Sequence, residues 1–423
     1  MKRAFHFTAL LLLSLTAVET IPAQTNNARN KRTPISIDVV AGIKTQVKMK
    51  LSDFADSIVY IPLQGLPDFP IGWVVNLEMT PDELFVLASH EIGLLRFNLA
   101  GKLKNRIGGI GNGPGELSMG SDFSLSPEEK RIYFHRNFTH NELCFSYDGK
   151  FIEDIKPDKS KLSERTIMLS PNRILKIGAK RPPPEVIPPG NYEALLLDRK
   201  GTEIQKILSP LANTTEWRSQ PFANKISFTG ERSEVWYKNK YLFDAYASDT
   251  LFEASPEGMA ARYFLNKGKY AGPKWLQGLF SSRTKSLSGD YIVNQPVFES
   301  DDYLLFRARL QSICYLVRVN KKDNTTGSLK AANIPDNAPY PSMLKIPNDL
   351  DGGISFYPQF TNREGNIWIC TVTALDYREE MKELAKKGKI DLSKKSNRSV
   401  ALYNQLKEED NPVIVLVYLK RKK

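Results

Sequence analysis

The chain has 423 residues and a net charge of +12; 41% of its residues are hydrophobic and 10% are aromatic. This composition excludes an intrinsically disordered chain, because a sequence with this much apolar material can bury a large core. The charge does not predict nucleic-acid binding, since the lysine-rich stretches 382–395 and 420–423 lack the interleaved aromatic side chains on which bases stack.

The first 23 residues have the layout of a secretory signal peptide. Lys2 and Arg3 precede an apolar run over residues 9–18, and Ile21 and Ala23 occupy the −3 and −1 positions of the expected cleavage site. The run is too short to span a bilayer, which takes about 20 apolar residues, and no transmembrane segment is predicted. No cysteine near the cleavage site offers a lipobox. We therefore expect a soluble protein that is exported to the periplasm or the cell exterior.

Residues 24–50 are expected to form a lead segment, and residues 51–423 the folded domain. Within that domain a β-rich unit recurs, and each of its first three copies contains an apolar run followed by a glycine in a turn. These glycines are Gly101, Gly149 and Gly201, which are 48 and 52 residues apart. Repeats of about 40–50 residues with four strands each are typical of propeller blades. Three less regular units follow, at residues 234–265, 302–319 and 353–372.

A glycine-rich loop connects the first two units. Residues 107–117 hold five glycines and one proline, a density that the interior of a helix or strand does not tolerate. A phosphate-binding loop is followed by a helix and ends in Gly-Lys-Ser/Thr, whereas here a strand follows. We therefore predict a structural loop between two sheets, with a positive φ at Gly111, Gly113 or Gly115. Its defining residues are Gly111, Gly113, Pro114, Gly115 and Glu116.

The two ends of the domain predict how the ring closes. Residues 57–63 have the pattern of a strand with no unit before it, and residues 412–419 that of a strand with no unit after it. Each strand alone would expose unpaired backbone groups, so we predict that both lie in one shared blade. Helices are predicted over residues 377–387 and 399–409, which makes a helical insert of about residues 377–410 before the last strand. The predicted fold is all-β, a single six-bladed β-propeller closed by strands from both termini.

A family resemblance rests on four stretches, residues 51–63, 107–117, 348–353 and 408–416. In them the chain resembles the six-bladed β-propellers related to NHL repeats that are abundant among exported proteins of gut bacteria. The resemblance extends over nearly all of the chain after the signal segment. It implies the propeller fold but no activity, because none is established for the family. Many members carry a lipid-anchoring cysteine after the signal, and this chain lacks one.

Few side chains suggest a disulfide or a metal. Cys144, Cys314 and Cys370 lie on strand-like segments without a C-x-x-C pattern, and buried unpaired thiols are predicted, although an exported chain could oxidise a pair. His135 and His140 could approach each other across a hairpin. No third ligand is marked by its spacing, so neither a metal nor a cofactor is predicted.

Asp349 and Asp351 are the candidate ligand-binding residues. Their spacing suggests a calcium loop, but the positions at which an EF-hand needs ligands are occupied by Pro347 and Pro358. Aspartates that bond their own backbone in a tight turn also explain the pair. A binding role at the propeller mouth stays open, because loops on rigid scaffolds often carry binding residues.

The tryptophans divide into two groups. Trp236 and Trp368 lie in strand-like runs and are predicted to be core residues, whereas Trp73, Trp217 and Trp275 lie where an exposed ring could stack on a sugar or peptide. No G-x-S-x-G motif marks a nucleophile.

Two classes of function are kept. The first is an exported, monomeric, non-catalytic propeller that binds a glycan, peptide or protein at one face of the ring. The alternative is a lyase or hydrolase acting in the central channel on a glycan, peptide or ester. Histidines and carboxylates with perturbed pKa values, gathered at the channel mouth, would favour the enzyme.

Overall fold

The computed structural model describes residues 33–421, apart from residues 66–69, 89–92, 112, 114, 118–121, 137–138, 164, 179–191, 209–232, 245–248, 272–290, 295, 312 and 331–343. The predicted signal peptide, Pro114, Trp217 and Trp275 therefore lie outside the described residues.

The N-terminal part contributes strand β1 (Ile35–Asp38), helix α1 (Val39–Lys44) and strand β2 (Ala55–Pro62). The described residues form six sheets, which we name blades A to F in chain order. From the innermost strand outward, blade A contains β3 (Val74–Met79), β4 (Glu83–Ala88), β5 (Leu94–Asn98) and β6 (Leu103–Ile107). Blade B contains β7 (Asp122–Ser126), β8 (Arg131–His135), β9 (Glu142–Ser146) and β10 (Phe151–Ile155).

The next two blades repeat this plan. Blade C contains β11 (Arg165–Ser170), β12 (Arg173–Ile177), β13 (Tyr192–Asp198) and β14 (Glu203–Leu208). Blade D contains β15 (Glu234–Tyr237), β16 (Lys240–Asp244), β17 (Thr250–Ser255) and β18 (Gly258–Asn266).

The last two blades differ from this arrangement of four consecutive strands. Blade E has two short inner pieces, β19 (Val293–Asn294) and β20 (Phe298–Glu299), followed by β21 (Tyr303–Leu310), β22 (Ile313–Asn320) and β23 (Thr326–Lys330). Blade F contains β24 (Phe360–Thr361), β25 (Ile367–Val372), β26 (Val413–Leu419) and, outermost, β2. The predicted six-bladed propeller is therefore confirmed.

The ring closes as predicted. β2 pairs antiparallel with β26, with Ile58 opposite Val417 and Ile61 opposite Ile414, so one blade takes strands from both ends of the domain. All five residues from Val413 to Val417 are buried. This pairing satisfies the backbone groups that each strand would otherwise expose.

Part of the lead segment extends along the outside of the ring. β1 pairs in parallel with β18 and becomes a fifth strand of blade D. Gln46 forms a parallel bridge to Ser328 of β23, and α1 packs on the same blade. The outer edges of blades D and E are therefore covered by residues 35–46.

The helical insert lies between β25 and β26, as predicted, but its boundaries differ. Helix α2 spans Ala374–Lys386 because the Thr373 hydroxyl caps it by accepting a hydrogen bond from the Asp376 N–H. Helix α3 spans Arg398–Gln405 and ends before the predicted residue 409.

The three repeat glycines occupy the turns between the third and fourth strands of blades A, B and C. Gly101, Gly149 and Gly201 have φ of 77°, 90° and 81°, a region that a Cβ disfavours. At Gly101 a Cβ would also overlap the carbonyl oxygen of Pro62 in β2. The repeat seen in the sequence therefore marks the same turn in successive blades.

Candidate functional site

One face of the ring carries a connected row of polar side chains. We call it the top face and define it as the face at which the innermost strand of each blade begins. The first residues of β7, β11 and β15 are Asp122, Arg165 and Glu234, which belong to blades B, C and D. Because the innermost strands surround the ring axis, this places three charged side chains at the mouth of the central channel.

Arg165 joins the two carboxylates. One of its terminal nitrogens lies 2.6 Å from Asp122 Oδ2 and 2.6 Å from Glu234 Oε2. Asn76 of blade A extends the row, since its amide donates a 2.5 Å hydrogen bond to Asp122 Oδ1. Burial acts to lower the pKa of Arg165, but the two carboxylates outweigh it and raise that pKa above its ordinary value. The mouth row, Asn76–Asp122–Arg165–Glu234, thus links four successive blades.

The side chains of the mouth row stay within reach of solvent. A quarter of the Arg165 side chain is exposed, against 16% for Asp122 and 14% for Glu234. Two exposed apolar residues lie where β3 of blade A begins, close in sequence to Asn76 of the row. Trp73 is 61% exposed and Val75 is 52% exposed. The mouth therefore combines hydrogen-bonding groups with an aromatic ring at its rim.

Arg363 closes the other end of the channel. It lies in the turn between β24 and β25 of blade F, and its guanidinium stacks on the Trp236 ring of blade D at 4.2 Å. It also donates a hydrogen bond to the carbonyl oxygen of Leu125 in blade B and lies 3.6 Å from Glu78 Oε2 in blade A. One side chain thus contacts three other blades around the axis.

Glu78 is a carboxyl group held deep in the channel. Burial raises its pKa above the ordinary value, while the Arg363 charge and a hydrogen bond from the Leu125 N–H act in the opposite direction. The charges of the mouth row act on this pKa in opposite directions, since Arg165 lowers it and Asp122 raises it.

A buried polar layer between blades B and C continues outward from the mouth row. His135 is the register partner of Asp122, and Glu142 is the register partner of His135. The Nδ1 of His135 lies 2.8 Å from Glu142 Oε1, and Thr166 of blade C donates its hydroxyl hydrogen to the same oxygen. Lys176 approaches that oxygen at 3.8 Å.

The two predicted histidines come together in this layer. The ring centroids of His135 and His140 are 5.8 Å apart. His140 donates from Nδ1 to the Ser163 carbonyl oxygen at 2.9 Å. Burial lowers the pKa of His140, and the neighbouring His135 also lowers it. Across the described parts of the chain, no group of three His, Cys, Asp or Glu side chains is arranged to hold a metal ion.

The glycine-rich loop joins blade A to blade B. Gly115 has φ of 74°, as predicted for at least one of its glycines, whereas Gly111 and Gly113 do not have a positive φ. The Glu116 carboxylate accepts a 2.6 Å hydrogen bond from the Gly113 N–H, and the Gly111 N–H donates to the Leu117 carbonyl oxygen. Both of these N–H groups are therefore engaged within the loop.

Asp349 and Asp351 lie at the periphery of the ring. Asp349 accepts hydrogen bonds from the backbone and hydroxyl of Ser52, at 2.8 and 2.6 Å. Asp351 accepts hydrogen bonds from the Tyr60 hydroxyl and from Asn348. These contacts attach residues 348–353 to β2, the outermost strand of blade F, and to the residues just before it. Ligand binding by the two aspartates stays a prediction.

The predictions for the three cysteines and for two of the tryptophans are confirmed. Cys144, Cys314 and Cys370 are buried and unpaired. Trp236 and Trp368 are buried, at 5% and 0% exposure. Within the part of the chain that the structure describes, none of the helices has the length and apolar character needed to cross a bilayer.

Reasoning from the sequence missed the mouth row. Its charged members share one signal, because each is the first residue of the first strand in its repeat. Their spacing of 43 and 69 residues hides that signal, because the loops between blades differ in length. Arg363 and Glu78 carry no comparable signal.

Comparison with solved structures finds the same fold in a bacterial protein. A protein of Bacteroides fragilis described as exported shares 17% identity, with a TM-score of 0.61, over 92% of this chain and all of that one. A member of the DUF4221 family from Bacteroides vulgatus shares 11% identity with a TM-score of 0.46, over 87% and 98% of the two chains. Virginiamycin B lyase from Staphylococcus aureus shares 9% identity with a TM-score of 0.32, over 66% and 90%.

Comparison with curated proteins finds no match. Comparison with protein families matches residues 34–418 to a domain of unknown function, DUF4934. Because that match covers nearly all of the described chain, the protein belongs to the DUF4934 family.

Proposed function

We propose that this protein is an exported, non-catalytic binding propeller that holds a glycan at the top face of the ring. The observation that carries the proposal is the combination, at one channel mouth, of an exposed Trp73 ring and the mouth row Asn76–Asp122–Arg165–Glu234. A sugar ring stacks on an aromatic face, and its hydroxyls both donate to carboxylates and accept from guanidinium and amide groups. A peptide or protein partner would meet the same groups.

Two features support binding rather than turnover. Asp122 and Glu234 are both bound to the Arg165 guanidinium, so their oxygens are positioned as hydrogen-bond acceptors. Arg363 and Trp236 fill the far end of the channel, so a ligand would rest on the top face rather than pass through the ring. Export is supported by the signal-like segment of residues 1–23 and by the described export of the B. fragilis relative.

The test is a binding screen against glycans, followed by calorimetry of the best ligand with two variants. Trp73→Ala removes the stacking surface and Arg165→Met removes the charged donor, and each should weaken binding at least tenfold, which is about 1.4 kcal/mol. Leu375→Ala is the matched control, since Leu375 is an exposed apolar residue on α2, and it should leave the affinity unchanged. Binding that survives both mouth variants, or a screen that yields only peptide ligands, would overturn the glycan proposal.

One observation favours the enzymatic alternative. Glu78, a carboxyl group whose pKa is raised by burial, lies in the same channel as Asp122, which is paired with Arg165. Two carboxyl groups in different environments are the arrangement that general acid–base catalysis uses. If the protein is a hydrolase or lyase, Glu78→Gln should abolish turnover of a bound glycan while its dissociation constant changes little. Absence of turnover in the wild-type protein with the ligand bound would exclude this alternative.

A further inference from the structure

We infer that His135 and His140 form a binding site for a divalent transition-metal ion, next to the channel mouth and between blades B and C. The inference does not depend on the proposed glycan binding. It rests on which ring nitrogens the two histidines have left available and on the separation of the rings.

The hydrogen bonds of the two histidines define their tautomers. The Ser163 carbonyl oxygen can only accept, so Nδ1 of His140 carries the hydrogen. The Glu142 carboxylate likewise accepts from Nδ1 of His135. In the neutral rings, both Nε2 atoms therefore carry a lone pair. Metal-binding histidines have this arrangement, in which the second nitrogen donates to a carboxylate or a backbone carbonyl.

The Nε2 atom of His135 is an unexplained polar group. His135 is 1% exposed, and its Nε2 has no hydrogen-bond partner within the described residues. Buried polar atoms are nearly always satisfied, so the orphaned Nε2 points to a water or an ion that belongs at this place.

The separation of the rings suits one shared ion. Zinc–nitrogen bonds are about 2.0–2.1 Å long, so two imidazoles on one ion have centroids roughly 5–6 Å apart. The observed centroid distance is 5.8 Å. Two protein ligands leave the remaining coordination positions to water, which can enter beside the partly exposed His140.

The chemistry of the site indicates which ions it would take. Imidazole nitrogen suits Zn²⁺, Ni²⁺ and Cu²⁺, and the general order of affinity places Cu²⁺ first.

The test is titration of the full chain, free of any histidine tag, with Cu²⁺ and Zn²⁺ by calorimetry. We expect one equivalent to bind, with Cu²⁺ binding more tightly than Zn²⁺. Electron paramagnetic resonance of the Cu²⁺ complex should show coupling to two imidazole nitrogens. Absence of saturable binding by either ion would overturn the inference and leave a water molecule as the partner of Nε2.

Variants separate the site from adventitious binding. His140→Gln is the main test variant. His140 is partly exposed, so its replacement should not unfold the protein, whereas replacement of the buried His135 could do so. It should weaken Cu²⁺ binding at least tenfold and reduce the coupled nitrogens from two to one. Glu142→Gln, which alters the acceptor behind His135, should weaken binding about tenfold. His90→Gln is the matched histidine control and should change nothing; a loss with His90→Gln but not with His140→Gln would refute the site.

Discussion

The interface between blades B and C and the interface between blades E and F are built from different kinds of side chain. Between blades E and F, the core contains Trp368, Phe298, Leu316 and Val415, all buried and apolar. Between blades B and C, the apolar cluster consists of Tyr133, Cys144 and Met168, with Ile174 packed against it. The rest of that interface includes the polar layer of His135, Glu142, Thr166 and Lys176.

This difference between the two interfaces predicts that one mainly stabilises the fold and the other mainly serves function. Burial of apolar surface stabilises a fold by about 25 cal/mol per Å² and needs no particular geometry. A buried ionic group must first be desolvated, and a well-packed apolar replacement is often at least as stable. The E–F interface is therefore expected to hold the ring together, whereas the B–C layer and the adjoining mouth row are where a ligand would be recognised.

The largest effect is expected from removing the closing strand. Deletion of residues 411–423 removes β26 and leaves both β2 and β25 without their partner. The loss of seven strand residues, six of them buried, is comparable with the whole stability of a domain, about 5–15 kcal/mol. We expect an aggregating or unfolded product, measured by size-exclusion chromatography and thermal melting. A soluble truncation that melts cooperatively at the wild-type midpoint would contradict the closure.

A single large side chain tests the E–F interface next. Trp368 is fully buried, packs against Phe54 and Phe298, and donates from its indole nitrogen to the Glu299 carbonyl oxygen. Trp368→Ala should lower the free energy of unfolding by about 3–5 kcal/mol, because it leaves a cavity. Trp73→Ala is the matched control and should change that free energy by no more than about 0.5 kcal/mol, since the ring is exposed. Urea denaturation measures both, and equal losses would show that the interface is not the stabilising region.

Sequence patterns predicted the blades but not the site, for physical reasons. Gly101, Gly149 and Gly201 repeat because each blade needs the same left-handed turn, and a local requirement leaves a local signal. The pairing of β1 could not be predicted in this way. β1 has only four residues and its partner β18 lies more than 200 residues away, so the local sequence contains no pattern that indicates the pairing. The contact of Arg165 with Asp122 and Glu234 likewise depends on how three blades meet at the axis. A short-range sequence pattern cannot indicate a contact between residues of three different blades.

The B–C polar layer predicts an unusual pair of results. Glu142→Leu alone should lower the free energy of unfolding by about 2–4 kcal/mol, because it leaves the buried His135 without its acceptor and the largely buried Lys176 without its counter-ion. Replacing the whole layer, with His135→Phe, Glu142→Leu, Thr166→Val and Lys176→Met together, should bring stability back to within about 1 kcal/mol of the wild type. Urea denaturation of the two variants checks this. If the fourfold variant is as unstable as the single one, the layer is needed for stability and the contrast with the E–F interface fails.

The smallest effect is expected from titration of one group, Glu78, at the axis. Its pKa in the folded protein is raised above the ordinary value of 4.5, first by burial and against the influence of Arg363. Folding therefore favours the protonated carboxyl, and the stabilisation from that proton is complete below pH 4.5 and is lost as pH rises through the folded-state pKa. The Glu78→Gln variant has no ionisable group at this position, so its stability lacks this pH dependence. The wild-type protein should thus become progressively less stable relative to Glu78→Gln as pH increases from about 4.5, in urea titrations at a series of pH values.

Arg363 provides the check on that interpretation. In an Arg363→Met background the opposing cation is gone, so the pKa of Glu78 should rise further and the same loss should continue to higher pH. If the stability difference caused by Glu78→Gln stays constant with pH in both backgrounds, the channel does not hold a protonated carboxyl. The acid that the enzymatic alternative needs would then be missing, and the top face would be left with groups suited to binding alone.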